Sequence, residues 1–465
     1  MEKLRLEDIK GIRVTIMGLG LHGGGLASAK FFAENGAKLT VTDLKDEKAL
    51  SASIQALKDY DINYTLGSHK ESDFLNADLV IKNPAVRPDN PYLGMAKWIE
   101  TDISVFLALC PSTIAAISGS KGKSSCAAAL SHILSFSGVK NFIGGNITIS
   151  PLSFLPMLTP EHIVVLELSS WQLGDLGHRK LLKPKTAILT RIVPDHQDRY
   201  LNMDAYVADK RLIYANQDET CFTICDLDDP YGLSFAKETK AMVLGYAKTL
   251  PPGFWGINIA DSDCPSQAKL PDLGPMELLP AKLGVAGEHA RRNMAAASLA
   301  AWTLGATPDL IPMAAGNFKG LEHRLELVTD CNGVKWYNDS AATVPEALKA
   351  AMDSFKEPVV LITGGSDKAL DFAVASDAYT KAEQIILLEG SGTNKVIKLL
   401  EALGRTYNGP YADMESAVEK AAKYALPGQV VLMSPACTSF GMFANEFERG
   451  RAFKTAVLNL VVDKT

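Results

Sequence analysis

The stretch from Thr113 to Ser125, TIAAISGSKGKSS, constrains the fold more than any other part of the chain. Thr113 to Ile117 is an apolar, β-branched run and reads as a buried strand. It breaks into Gly119-Ser-Lys-Gly-Lys-Ser124 and continues as Cys126-Ala-Ala-Ala-Leu-Ser-His-Ile-Leu, which has helical composition. A strand, a Gly-Lys-Ser loop and a helix in that order can wrap a phosphate chain. Backbone N–H groups of the loop and helix N-terminus face the anion, a lysine such as Lys123 reaches the outer phosphates, and the Ser124 hydroxyl reaches Mg²⁺. The strict G-x-x-x-x-G-K-[ST] spacing is not met, because Ile117 stands where its first glycine would fall and Gly119 is the glycine available. The loop is therefore a shortened phosphate loop. Its plain alternative is a Gly/Ser/Lys turn between a strand and a helix.

The residues before it form a second nucleotide-style unit. Arg13 to Met17 reads as a strand, followed by Gly18-Leu-Gly20-Leu-His-Gly23, a helix from Leu26 to Asn35, and a strand from Lys38 to Thr42 ending at Asp43. Glycines at this spacing, with an acidic residue about 20 positions on, form a dinucleotide-type fingerprint. The same glycines could instead serve only tight strand–helix packing. A third strand, Ala77 to Ile81, leads into Lys82-Asn83-Pro84-Ala85-Val86-Arg87-Pro88, at the edge where open α/β sheets bind ligands.

After the phosphate loop, Gly144-Gly145-Asn146 forms a turn carrying one amide. Ile163 to Leu168 is a buried strand with Glu167 at its carboxyl end, where a carboxylate beside bound phosphates suits Mg²⁺. Thr186 to Ile192 is the next strand and delivers Asp195 and His196 to the same edge. Lys210 falls in an amphipathic helix and reads, from the residues alone, as a solvated surface lysine. Residues 216–285 read as short strands and loops without chemistry. In the last third, strands ending in Asn338-Asp339-Ser340, Gly364-Gly365-Ser-Asp-Lys368, Glu389-Gly390 and Ser434-Pro-Ala-Cys-Thr-Ser439-Phe440 gather polar groups at one edge of another parallel sheet. The expected class is α/β with three domains. These are residues 1–107 with a Rossmann-like sheet, 108–320 with a P-loop-type mononucleotide-binding sheet, and 321–465 with a second Rossmann-like sheet.

Composition narrows the partners. With 465 residues and 47% hydrophobic content the chain has ample core for several domains. Its 53 acidic against 47 basic residues give a net charge of −6, with no basic block, which argues against nucleic acid as a partner. No apolar run is long enough to span a bilayer, so no membrane insertion is expected. Seven scattered cysteines fit reduced thiols in a cytoplasmic protein, and Cys221 and Cys225 lack a second pair to finish a zinc site.

The ordered series Gly-Ser-Lys-Gly-Lys-Ser, Glu167-Leu-Ser-Ser-Trp-Gln-Leu, Asp195-His196-Gln-Asp-Arg-Tyr, Lys210, His323-Arg324, Asn338-Asp339-Ser340 and Ser434-Pro-Ala-Cys resembles the Mur ligases of peptidoglycan synthesis. The match runs from about Val14 to about Arg451, and the series is far more specific than any one motif. The resemblance implies an ATP-dependent amide ligase that adds glutamate, D-glutamate by default, to UDP-N-acetylmuramoyl-L-alanine through an acyl phosphate. The first domain would bind the UDP part of the substrate, the second ATP, and the third ATP and the amino acid. By analogy, Leu21, His22 and Asp43 would face the uridine diphosphate, and Asn146 and His196 the muramoyl end. Gly119, Ser120, Lys121, Gly122, Lys123, Ser124 and Ser125 would form the phosphate loop, with Asn293, Arg324 and Asp339 on the nucleotide. Ser124, Glu167, His196 and Lys210 would serve Mg²⁺, Lys210 as a carbamate made from CO₂. Lys368, Ser439 and Phe440 would hold the acceptor amino acid. Lys123, Glu167, His196 and Lys210 are the catalytic set so implied, in a monomer. The chain departs from the family pattern at Lys121, Arg191, Ala290, Ala341 and Glu446, and the last two leave L-glutamate or another amino acid open as acceptor. Three other readings compete, one of them a non-catalytic scaffold that binds ATP without turnover. A folylpolyglutamate-type ligase is disfavoured by the UDP-type first domain. An NAD-dependent oxidoreductase resting on Gly18-Leu-Gly-Leu-His-Gly23 leaves Lys123 and Glu167 unexplained.

Overall fold

Each of three sheets is built around a strand whose apolar run is buried on both faces, and each leads into a glycine-bearing loop. The computed structural model describes residues 4–462 apart from 21–22, 147–148, 178, 196–199, 201, 262–263, 286 and 368–369. The first sheet holds β1 (Arg13–Met17), β2 (Lys38–Asp43), β3 (Ile62–Leu66), β4 (Leu79–Lys82) and β5 (Ile99–Glu100), all parallel, in the order β3-β2-β1-β4-β5. The strand order reverses between β1 and β4, which is where open α/β sheets take ligands. Strands β3 and β5 escaped the sequence reading. The first is a half-exposed edge strand, INYTL, and the second spans two residues, so neither carries a continuous apolar run.

The second sheet holds β6 (Thr113–Ser118), β7 (Asn141–Gly145), β8 (Ile163–Glu167), β9 (Thr186–Leu189), β10 (Phe222–Asp226), β11 (Met242–Ala247), β12 (Trp255–Asn258), β13 (Ser266–Lys269) and β14 (Met276–Leu279). Its order is β14-β13-β12-β11-β10-β9-β6-β8-β7. The strands are parallel from β7 across to β12, and β13 and β14 add an antiparallel edge. In register, Ile117 of β6 lies opposite Glu167 of β8, and Ser118 lies opposite Leu189 of β9. The loop after β6 therefore opens between the ends of its two neighbours. Strand β9 stops at Leu189, earlier than expected, leaving Thr190 to Asp195 as loop.

The third sheet holds β15 (Glu326–Cys331), β16 (Val334–Asn338), β17 (Val359–Thr363), β18 (Gln384–Leu388), β19 (Asn408–Tyr411) and β20 (Val430–Met433), in the order β15-β16-β20-β17-β18-β19. Only β15, of these six, runs antiparallel to its neighbour.

By contacts the chain forms two compact units, Met1–Lys282 with Arg292–Gly316, and Leu283–Arg291 with Asn317–Thr465. The first two sheets share the first unit. One continuous apolar core runs from Val14 and Ile16 through Phe106 and Phe154 to Leu166 and Leu189. Phe154 stacks on Phe142 with centroids 5.2 Å apart and meets Phe106 edge-on, so the first-domain helix Asp102–Leu109 is packed onto the central domain. The second unit has apolar clusters on both faces of its sheet, around Leu361 and Ile385 on one and Val360 and Ile386 on the other. Among the described residues, no helix is long and apolar enough to cross a membrane.

Candidate functional site

The phosphate loop is held open by its glycines. Gly119 has φ +144° and Gly122 has φ +93°. A Cβ on Gly119 would collide with Thr190 Oγ1, and one on Gly122 would collide with the amide of Asn293. Both positions therefore require glycine for conformation and for space. Helix Lys123–Phe136 begins immediately after Gly122, so the positive end of its dipole lies at the loop. Ser124 and Ser125 lie in its first turn. Asn293 reaches the loop from helix Glu288–Thr303, which brings together two residues 171 positions apart (293 − 122).

The loop residues divide their work. Ser120 is buried, and its hydroxyl donates to the Val193 carbonyl at 2.8 Å while accepting from the Val193 N–H at 3.0 Å and lying 2.9 Å from the Tyr206 hydroxyl. Its own N–H donates to the Arg191 carbonyl. Ser120 thus pins the loop to the β9 side rather than presenting its side chain to a ligand. Lys121 is exposed, with its ammonium 3.4 Å from Asp195. Lys123 curls back, donating to the carbonyls of Gly119 and Ser120 at 3.0 and 3.1 Å.

Lys210 is the largest departure from the reading by residue type alone. It is 1% exposed on helix Met203–Arg211, and its Nζ donates to the Gly119 carbonyl at 2.8 Å. The ammonium also lies 4.4 Å from the centroid of the Tyr206 ring. Burial, reinforced by Lys123 nearby, pulls its amine down to about 7. A surface lysine does not do this. Two basic side chains therefore converge on one carbonyl at the base of the loop.

Opposite them, Glu167 is buried at the end of β8. Its Oε1 accepts from the Asn146 side-chain amide at 3.0 Å, while its Oε2 is buried with no hydrogen-bond partner. An orphaned anionic oxygen is expensive to bury, and its position beside a phosphate loop fits a divalent cation. Asn146 is fixed as well, its N–H donating to the Glu167 carbonyl at 2.9 Å. His196 lies outside the described residues.

In the first domain the glycine loop is set by Gly25, which the sequence reading passed over. A Cβ there would strike the carbonyls of Gly18 and Leu19. Gly25, one residue inside helix Gly24–Glu34, is thus the glycine that permits close strand–helix packing, and Gly23 supplies the N-cap at φ +88°. The Asp43 carboxylate accepts from the N–H of Gly20 at 3.1 Å and of Lys45 at 2.9 Å, so it shapes the loop. Asn83, the residue after β4, packs against Gly18. Leu21 and His22 lie outside the described residues.

In the second unit, His323 and Leu325 adopt positive φ values of +65° and +43°, a hook that carries Arg324. Asp339 is buried at the end of β16, accepting from the Leu325 N–H at 3.2 Å and the Ser434 hydroxyl at 2.8 Å, and burial raises its carboxyl to about 7. Ser434 was legible only as part of Ser-Pro-Ala-Cys. Ser439 is buried and Phe440 exposed, while Lys368 lies outside the described residues. Glu322, His323 and Glu326 sit close enough to suggest a metal, but the Lys454 ammonium already bridges the two carboxylates at 3.0 and 2.5 Å.

The first class these features define is a three-domain α/β protein with a Gly-Lys-Ser loop after a central strand of its middle sheet. Residues 12–105 match the "Mur ligase MurD-like, N-terminal domain", 117–301 the "Mur ligase middle domain" and 323–437 the "Mur ligase, glutamate ligase domain". The chain belongs to the Mur ligase family. Among its relatives, the UDP-N-acetylmuramoylalanine–D-glutamate ligase of Treponema pallidum (strain Nichols) is 39% identical over 524 residues, covering 97% of this chain and 98% of the relative. The enzyme of the same name from Roseiflexus sp. (strain RS-1) is 38% identical over 470 residues, covering 97% and 99%. The fold is that of solved Mur ligases. The MurC ligase of Thermotoga maritima aligns with a TM-score of 0.60 at 19% identity over 97% of this chain and all of that one. The MurF ligase of the same organism, solved with ADP, aligns at 0.56 and 14% identity over 92% and 96%.

Proposed function

We propose that this protein joins D-glutamate to UDP-N-acetylmuramoyl-L-alanine at the expense of ATP, as a monomer in the cytoplasm. Relatives of that name, matched over almost their whole length, supply the substrates. The observation that carries the chemistry is the convergence at one loop of Lys123, the amine-like Lys210 and the orphaned Glu167 oxygen.

A carboxylate is a poor acylating agent, because its leaving group would be oxide. Transfer of the γ-phosphoryl group to the substrate carboxylate makes an acyl phosphate and ADP. The glutamate amine then attacks the acyl carbon, forming the C–N bond. The tetrahedral intermediate collapses with loss of phosphate. The protein's task is positioning and charge neutralisation. The N–H groups at the start of helix Lys123–Phe136 cradle the phosphates. Lys123 exchanges its carbonyl partners for phosphate oxygens. Asn146 holds the Glu167 carboxylate in place and faces the muramoyl end together with His196. Ser124, Glu167, His196 and Lys210 would hold Mg²⁺, which would supply positive charge against the phosphate oxygens. The depressed basicity of Lys210 fits its role as a carbamate. Its neutral nitrogen adds to the carbon of CO₂ and loses a proton, turning a cation into an anionic oxygen ligand. Asn293, Arg324 and Asp339 serve the nucleotide. Leu21, His22 and Asp43 serve the UDP group, and Lys368, Ser439 and Phe440 serve the acceptor. The attacking amine must shed its proton first. A His196 that holds the metal has no free ring nitrogen to take it, so the proton passes to bulk water, and His196 is the base for that step only when it is not a metal ligand.

The test is an acceptor screen with UDP-N-acetylmuramoyl-L-alanine, ATP and Mg²⁺, following phosphate release with each amino acid in turn, both enantiomers included. Release with D-glutamate is the expected result. Release with another amino acid alone would reassign the acceptor, and release with none would refute the ligase reading.

A further inference from the structure

Lys82 is the last residue of β4, and its side chain has no role in the reading above. Its Nζ donates to Asp175 Oδ2 at 2.7 Å and to the Val86 carbonyl at 3.0 Å, and the side chains of the pair are only 4% and 5% exposed. Asp175 belongs to the central domain, on helix Ser170–Leu176. A buried ion pair between the end of a first-domain strand and a central-domain helix of the same unit is a costly device if its only use is adhesion, because the continuous apolar core already joins the two domains.

What the pair touches on each side suggests its use. On the first-domain side, the next residue, Asn83, packs on Gly18 of the glycine loop and accepts from the Ala85 N–H at 3.0 Å. Lys82 itself ties down the Val86 carbonyl, so the turn after β4 is fixed at both ends. On the central side, helix Ser170–Leu176 starts three residues after Glu167. It is locked by a reciprocal cap in which Ser169 accepts from the Gln172 N–H and Gln172 accepts from the Ser169 N–H. Gly174, beside Asp175, lets the same helix press on Asp209, the neighbour of Lys210, where a Cβ would stand 2.6 Å from Asp209 Oδ2. One short helix therefore contacts the first-domain turn, leads from the Glu167 strand, and packs on the Lys210 helix.

We propose that Lys82 is a positioning residue for the ligase reaction. Through Asp175 it sets the distance between the first-domain loop that anchors the nucleotide-diphosphate end of the substrate and the central-domain groups that receive the substrate's carboxylate. The inference rests on the ligase reading. A substrate gripped at one end in one domain and activated at the other end in the next is sensitive to that distance, and a misplacement of about 1 Å costs on the order of 10²-fold in rate.

Two variants and three readouts separate positioning from adhesion. Lys82→Met takes the ammonium away from the Asp175 carboxylate, whereas Lys82→Met/Asp175→Leu removes both charges and leaves an apolar contact. For each, measure thermal stability, the Kd for UDP and for ADP separately, and kcat with saturating substrates. The expected result is a double variant that recovers wild-type melting and both Kd values within about 3-fold while kcat stays down by roughly 10- to 100-fold. A double variant whose kcat returns with its stability would overturn the proposal, as would a folded Lys82→Met with unchanged kcat. A wild-type chain that binds ADP but turns over no UDP-linked substrate would remove the ligase reading and this inference with it.

Discussion

Lys210→Met makes the sharpest use of the site's electrostatics, because stability and activity should move in opposite directions. In the native chain, burial beside Lys123 holds the amine near 7, against 10.5 for an ordinary lysine. Between those values the unfolded chain binds more protons than the native one, so stability rises with pH across that window. Below about pH 7 both forms are charged and the whole burial penalty is present. A shift of that size corresponds to about 5 kcal/mol as an upper bound. Methionine removes the penalty but forfeits the hydrogen bond to Gly119 and the contact with the Tyr206 ring, worth roughly 1–3 kcal/mol together. The net expectation at pH 6 is a gain of about 2 kcal/mol, shrinking to nothing or reversing by about pH 10. The assay is a set of urea or thermal melts at pH 6, 7.5 and 9 in CO₂-depleted buffer, with ADP release measured alongside. Ligase activity should be abolished at every pH. Added bicarbonate at pH 8 should raise the wild-type melting temperature and leave the variant unmoved. A variant less stable than wild type at pH 6, or a difference that does not change with pH, would refute the argument.

Lys123→Ala should lower turnover by on the order of 10²–10³-fold, seen as ADP release at saturating substrate, because it removes a cation aimed at the developing charge. Gly119→Ala should fold less stably and lose ATP affinity by calorimetry, since its Cβ would occupy the position of Thr190 Oγ1 at φ +144°. Asp339→Asn should be stabilising at pH 8, by about 1–3 kcal/mol, and neutral below about pH 4. The buried carboxyl of Asp339 is raised to about 7, so the native state holds its proton more tightly than the unfolded chain, and stability is lost as pH climbs from about 4 to 7. Paired denaturant curves at the two pH values check this, and nucleotide affinity should fall in the same variant.

The sequence displayed its parallel strands where they are buried on both faces, as in Val14–Met17, Val359–Thr363 and Val430–Met433, because burial on both sides demands an unbroken apolar run. It hid β3, β5, β15 and β19, which lie at or next to sheet edges and mix polar with apolar residues. At the site, Gly-Lys-Ser and Glu167 were legible because loop chemistry is local in sequence. Lys210 was not, since its burial comes from packing against a loop 91 residues earlier (210 − 119). The Ser120 anchor to Val193 and Tyr206, and the steric demand of Thr190 on Gly119, were hidden for the same reason. The carbamate role proposed for Lys210 came from the family resemblance, and the residue pattern did not suggest it.

Gathering two basic side chains around the Gly119 carbonyl has a cost that falls on the ligand-free enzyme. Mutual repulsion there is relieved by whatever negative ion enters the mouth of the loop. The empty protein should accordingly be an anion scavenger, stiffened by millimolar phosphate or sulfate and loosened in their absence. In a buffer chosen without regard to this, inorganic phosphate, the reaction's own product, would compete with the nucleotide that starts the cycle.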